Sequence, residues 1–277
     1  MAIPAGFVYG FLGPNGAGKT TTLRMLMDIL IPDSGTMTIL GHPDASPSKD
    51  RIGYMPEERG LYSKMRVAEW LRYLGGIHSV PKEQLSQRIT QWLEQVGLAD
   101  SERRRIDELS KGNQQKLQFV STVLHDPDLL ILDEPFSGLD PVNVELMRNI
   151  ITGYKDRGKT VIFSTHMMEQ AERLCDRILL IDGGRKIADG TLADLQDSCR
   201  THSVLINCDQ EPDDLESLPM VINVNRNGRS LEVILHEDRS PQELLEALVS
   251  RTRLTRFEVR QPTLAEIFIH LVGRCDA

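Results

Sequence analysis

Gly13-Pro14-Asn15-Gly16-Ala17-Gly18-Lys19-Thr20-Thr21 decides the reading of this chain. The stretch fits the pattern G-x-x-x-x-G-K-[ST] and stands between two segments of different period. Phe7 to Leu12 is an apolar run that predicts a strand, and Thr21 to Leu30 is amphipathic and predicts a helix. Strand, glycine loop and helix together make a cradle for a nucleotide triphosphate. The glycines let the backbone wrap closely enough to aim its N–H groups at phosphate oxygens. The helix N-terminus adds partial positive charge. Lys19 adds a full one, and the Thr20 hydroxyl can bind Mg²⁺.

Composition narrows the classes. The 277 residues suffice for a large domain and a small one. Lys and Arg number 32 against 40 Asp and Glu, a formal net charge of −8. That argues against general nucleic-acid binding, which needs basic surface to neutralise phosphates. No apolar run approaches the ~20 residues that span a bilayer. Met1 to Leu12 is apolar but has no Lys or Arg before Lys19, so it reads as a lead-in to the first strand and not as a secretion signal. Cys175, Cys199, Cys208 and Cys275 form no C-x-x-C pair, which predicts free thiols in a reducing compartment and no zinc site.

Leu129-Leu130-Ile131-Leu132-Asp133-Glu134-Pro135 is a second apolar run, ending in two carboxylates. It reads as a buried parallel strand with charge at its C-terminal end, where open α/β sheets place their ligands. Asp133 is placed to hold Mg²⁺ directly or through water. Glu134 then stands beside the γ-phosphate, able to accept a proton from an attacking water. A third run, Thr160 to Phe163, leads into Ser164-Thr165-His166 and should emerge on the same sheet edge. A histidine there can hydrogen-bond the γ-phosphate and steady the water. Between these strands lies Leu109-Ser110-Lys111-Gly112-Asn113, ahead of a helical run to Leu124. By itself it is a serine-capped helix with an exposed positive end.

The order of these motifs resembles that of ATPase subunits of ABC transporters, over roughly residues 6 to 195. On that resemblance Gly13–Thr20 is the Walker A loop and Leu109–Asn113 the signature. Leu129–Glu134 is Walker B with its catalytic glutamate, Ser137-Gly138-Leu139-Asp140 the D-loop and His166 the switch histidine. Glu57, in Gly53-Tyr54-Met55-Pro56-Glu57-Glu58, falls where the family's Q-loop glutamine lies. The strings around Glu57 and the signature are most similar to multidrug- and sodium-export ATPases, which pair with separate membrane permeases. The resemblance implies ATP and Mg²⁺ as cofactors, with Thr20, Glu57 and Asp133 toward the metal. It also implies a homodimer or pseudo-dimer that sandwiches two ATP molecules, the P-loop of one copy facing Ser110 and Gly112 of the other. The subunit is then expected on the cytoplasmic side of the cell membrane, held there by its permease.

This chain departs from the family pattern in several places. Glu57 replaces glutamine, Lys111 replaces the second signature residue, usually glycine, and Asn113 replaces the terminal glutamine; all three read as variants of the export branch. Family members begin with antiparallel strands that carry an aromatic residue stacking on adenine, whereas here the P-loop strand follows Met1 almost directly. Tyr9 lies inside that strand and is no substitute. The expectation is a truncated start or a weak grip on the base, at a cost of roughly 0.5–1.5 kcal/mol for the missing stack.

The fold class expected is α/β: a P-loop NTPase core over residues 1–198 with an inserted helical part at about 57–126, then a small α+β accessory domain over 199–277. Met65–His78 and Gln84–Val96 carry apolar residues three and four apart, and Trp70 and Trp92 read as helix packing. Gly183-Gly184 predicts a hairpin. Beyond it the expected order is strand at 203–207, short helix at Asp213–Leu218 and strands at 221–225 and 231–235 about the turn Asn227-Gly228. A helix at 241–249, a strand at 255–259 and a closing helix at 264–271 complete it, an order like that of ferredoxin. Two other functions fit parts of the pattern: a soluble ABC-type ATPase outside transport, and a regulatory ATP-binding module with a dead site. The first would carry two ATPase halves or a long coiled coil, and no second P-loop is present. Lys19, Asp133, Glu134 and His166 argue against the second.

Overall fold

The computed structural model describes residues 1–43, 45–199, 203–228, 230–236 and 238–275, the side chains of 274 and 275 excepted. The chain divides into two compact units, Met1–Thr191 and Leu192–Ala277.

The first unit opens with strand β1 (Val8–Leu12), the glycine loop and helix α1 (Lys19–Leu26). Strand β2 (Ile52–Met55) precedes the helical insert: α2 (Val67–Ile77), α3 (Lys82–Gln95) and α4 (Lys111–Val123). Then come β3 (Leu129–Asp133), α5 (Pro141–Asp156), β4 (Thr160–Thr165), α6 (Met168–Leu174), β5 (Arg177–Asp182) and β6 (Arg185–Gly190). The sheet runs β2-β3-β4-β1-β5-β6. Its first five strands are parallel, and β6 returns antiparallel through the Gly183-Gly184 hairpin.

This order brings together the C-terminal ends of four neighbouring strands, each followed by residues singled out in the sequence. Glu57 follows β2, Glu134 follows β3, His166 follows β4 and the glycine loop follows β1. Asp133 and Ser164 sit opposite each other in the β3–β4 register. Both faces of the sheet are covered, so β1 and β3 are buried along their whole length and read as continuous apolar runs. Tyr9, Phe11, Ile131, Ile162 and Leu179 share one core with Leu23 of α1. Each such fully buried side chain contributes about 1.5–3 kcal/mol. Tyr9 belongs wholly to this core, and its hydroxyl donates to Asp189 Oδ1 at 2.7 Å.

The first helix is shorter than the sequence predicts. It starts at Lys19 and stops at Leu26, short of the expected Leu30. The reason is Asp28, which adopts a left-handed backbone with φ 54°. The N–H groups of Ile29 and Leu30 fold back onto Arg24 O, and Asp28 Oδ2 accepts from Ala45 N at 2.7 Å. The helix is thus closed by backbone hydrogen bonds around a left-handed residue, against the apolar period.

In the insert, Trp70 of α2 is buried and its Nε1 donates to Ser121 Oγ of α4 at 2.9 Å. Trp92 of α3 packs against Tyr154 of α5, ring centroids 6.5 Å apart.

The second unit holds α7 (Leu192–Ser198), β7 (Ser203–Cys208), β8 (Val221–Asn227), β9 (Ser230–Leu235), α8 (Pro241–Val249), β10 (Leu254–Arg260) and α9 (Leu264–Cys275). Its antiparallel sheet has the order β10-β7-β9-β8, the fourth-first-third-second arrangement of a ferredoxin-like fold. The expected helix at Asp213–Leu218 is only a 3₁₀ turn, Leu215–Ser217. Pro219 follows it directly and disfavours helical backbone at Leu218. Val204, Ile206, Val224 and Val233 pack against Leu244 and Leu248 of α8. Cys175, Cys199 and Cys208 are free thiols; the side chain of Cys275 lies outside the described residues. Among the described residues no helix is long and apolar enough to cross a membrane.

Candidate nucleotide site

The glycine loop turns where it does because its backbone runs against β5. A Cβ on Gly13 would lie 2.1 Å from Ile181 O, a collision with main chain that no rotamer relieves. Gly18 caps α1 in the left-handed region, φ 99°, which costs glycine little. The first turn of α1 then presents N–H groups that have no partner within the helix. Asn15, Gly16, Ala17, Gly18, Lys19, Thr20 and Thr21 line a cleft of about 220 Å³, with Glu57 and Glu134 on its other walls. Gly13 and Pro14 contribute their carbonyls beneath it.

Lys19 is 6% exposed, so its ammonium must be matched by oxygen. Its Nζ donates to Gly13 O at 2.8 Å and Pro14 O at 3.1 Å and stands 3.8 Å from Glu134 Oε1. Glu134 Oε1 is also 2.9 Å from His166 Nδ1, and Oε2 accepts from Thr165 Oγ1 at 3.3 Å. A cation, a carboxylate and an imidazole from three separate strand ends therefore meet at one point.

Glu134 holds a left-handed backbone, φ 49°. For a non-glycine residue this costs of order 1 kcal/mol and persists only where its surroundings fix it. Its N–H donates to both Ser164 O and Ser164 Oγ at 3.2 Å, and its C=O accepts from Ser137 N at 3.1 Å.

Asp133 has no exposed surface and does not itself line the cleft. One carboxylate oxygen accepts from Ser164 Oγ. The other, Oδ2, is buried without a hydrogen-bond partner among the described residues. A buried unpaired carboxylate oxygen is costly unless a cation or a bound water answers it. With the Thr20 hydroxyl on the cleft wall, this oxygen-rich set fits a hard divalent ion such as Mg²⁺.

Ser110 and Gly112 are not among the residues that line this cleft. Ser110 caps α4, its Oγ accepting from Asn113 N at 3.2 Å, and it is exposed. Gly112 packs near Gly138 O and Leu139. Asp140 caps α5; the backbone N–H of Asn143 leads the hydrogen bonds that hold its carboxyl below the usual range.

Sequence reading gave no role to Ser164 and Thr165, which orient Asp133 and Glu134, or to Gln115, whose Nε2 reaches Pro135 O at 3.2 Å. The available signal was their place: two hydroxyl residues at a strand end whose neighbour in register ends in two carboxylates.

A family model for the ABC transporter matches residues 1–137, and one for the C-terminal domain of DrrA1-3-like ATP-binding proteins matches 190–272. The chain is 39% identical to the uncharacterized ABC transporter ATP-binding protein YhaQ of Bacillus subtilis, covering 99% of this chain and 92% of that one. It is 36% identical to the Nod factor export ATP-binding protein I of Cupriavidus metallidurans, covering 99% and 91%. Among solved structures, an ATP-binding subunit of an ABC transporter superposes with a TM-score of 0.67 at 29% identity, over 72% of this chain and 84% of that one. CbiO1 of Clostridium perfringens, part of the ABC transporter complex cbiONQ, superposes with 0.63 at 25% identity, over 72% and 82%.

Proposed function

This chain belongs to the family of ABC transporter ATP-binding subunits, and we propose from that premise that two copies close head to tail on ATP and drive a separate membrane permease in export. The observation that carries the reading is the meeting of Lys19, Glu134 and His166 over the glycine loop, with contacts of 3.8 and 2.9 Å. The protein is an ATPase. In the proposed reaction each of these residues has its own part.

Asn15 to Thr21 receive the phosphates with backbone N–H groups, and Lys19 balances charge that grows on the transferred phosphoryl group. Glu134 accepts the proton of the attacking water. His166, hydrogen-bonded to Glu134, keeps that carboxylate aimed and orients the γ-phosphate. Thr20, Asp133 and Glu57 would hold Mg²⁺, which supplies charge neutralisation when bound. Ser110 at the positive end of α4 is exposed and does not line its own copy's cleft, which supports its use on the nucleotide of a second copy. ATP then contacts the closed pair better than the open one, and hydrolysis removes that difference.

The joint at 57–64 is the proposed contact with the permease. Tyr62 is 63% exposed and packs on Trp70, ring centroids 5.4 Å apart. Leu61 lines a cleft of about 330 Å³ with Ile52, Trp70 and Leu74. Export is supported by the name of the Nod factor relative.

Affinity purification of the full chain from detergent-solubilised native membranes tests the assignment. A polytopic membrane protein is expected to come with it at a fixed ratio, and Tyr62→Ala is expected to weaken that recovery. Recovery of the chain free of any integral membrane protein would contradict the transport reading.

A further inference from the structure

Two glutamines of α4 carry more than packing. Gln115 and Gln118 are 2% and 5% exposed, one turn apart on the helix that begins at Ser110. Gln118 Nε2 donates to Pro56 O at 2.7 Å and to Glu58 O at 3.3 Å, the two carbonyls that bracket Glu57. Gln115 Nε2 donates to Pro135 O at 3.2 Å and reaches Glu134 O at 3.5 Å; its Oε1 accepts from Arg59 Nε at 3.2 Å. The loop after β2 and the turn after β3 thus hang on the same two residues. Glu134 is the left-handed residue of that turn, and its C=O is otherwise met only by Ser137 N among the described residues. Glu57 projects into the cleft from an exposed loop whose neighbouring carbonyls are pinned to the buried face of α4.

We propose that Gln118 and Gln115 are positioning residues: through them a single helix sets Glu57 and Glu134 together, so that a displacement at Ser110 reaches both carboxylates of the site. The proposal rests on the roles assigned above to Glu57 and Glu134. The alternative is that the amides only satisfy buried carbonyls. In that case their loss lowers thermal stability and leaves the kinetics alone.

The test is ATP hydrolysis by the full chain over a grid of ATP and Mg²⁺ concentrations, with melting temperature measured on the same samples. Gln118→Met keeps the volume and removes the donor. It is expected to raise the Mg²⁺ concentration for half-maximal rate roughly fivefold or more, with Glu57→Ala shifting it the same way and the double variant no further than Glu57→Ala alone. Gln115→Met is expected to lower kcat about tenfold while KM for ATP stays within about twofold. Gln118→Asn, which keeps the donor on a shorter stem, gives a smaller shift in the same direction and serves if the methionine variant fails to fold. Glutamine variants that melt lower but keep wild-type kcat and Mg²⁺ dependence would overturn the proposal, provided Glu57→Ala and Glu134→Gln still change them. If those two acidic variants leave metal dependence and turnover unchanged, the assignment of the site itself fails.

Discussion

Lys19→Ala abolishes measurable ATP binding. The ammonium is nearly buried, 6% exposed, and is fixed by Gly13 O and Pro14 O at the floor of the cleft. Its attraction to one phosphate charge at 4 Å is about 4 kcal/mol with an effective dielectric constant near 20. Even half of that, lost on truncation, weakens binding by well over tenfold, and a triphosphate offers more than one charge. The substitution also strips Glu134 of its cation, 3.8 Å away, leaving a 6% exposed carboxylate facing incoming phosphates. Repulsion then adds to the lost attraction. Titration with a fluorescent ATP analogue checks this, and an affinity equal to wild type would contradict the placement of the phosphates.

Glu134→Gln is expected to separate binding from turnover. Glutamine has nearly the same volume, so the wall of the cleft is kept, and its Oε1 can still accept from Thr165 Oγ1 or His166 Nδ1. It cannot take a proton from water at neutral pH. Loss of a positioned general base costs typically 10²–10⁴-fold in rate. Removing a negative charge beside Lys19 favours the anionic ligand, so affinity for ATP should hold or rise. Nucleotide then stays intact, and closed pairs accumulate if ATP is what joins them. Phosphate release near wild type would show that another group removes the proton. Retained binding with no dimer in sedimentation would detach the two halves of the account.

Much of the site was legible in the sequence because it rests on local pattern. Gly13 to Lys19 announces itself by residue type and by the strand and helix on either side. Asp133 and Glu134 follow because an apolar run that ends in charge must put that charge at a strand end. His166 follows because its strand must lie near theirs. What stayed hidden depends on contacts between distant positions. Ser164 meets Asp133 across 31 residues, and Gln118 meets Pro56 across 62. A serine in a strand or a glutamine in a helix gives no local sign of its partner. The left-handed turn at Glu134 was equally unreadable, since it is held by partners distant in sequence, Ser164 and Gln115, together with Ser137. The early end of α1 at Asp28 shows the same limit, for a left-handed residue whose carboxylate accepts from Ala45 N interrupts an apolar period that runs on to Leu30.

The pairing of one copy's glycine loop with the second copy's Ser110 is the centre of the account, and mixing two dead variants tests it most directly. Lys19→Ala destroys the loop and Ser110→Arg blocks the capped end of α4. Each protein alone should be inactive. In a mixed pair, one site combines the intact loop of the Ser110→Arg copy with the intact helix end of the Lys19→Ala copy. Random pairing by a twofold interface then restores about a quarter of wild-type single-turnover hydrolysis. Activity in the mixture no higher than in either variant alone, or full activity of Ser110→Arg by itself, would contradict a site shared between two copies.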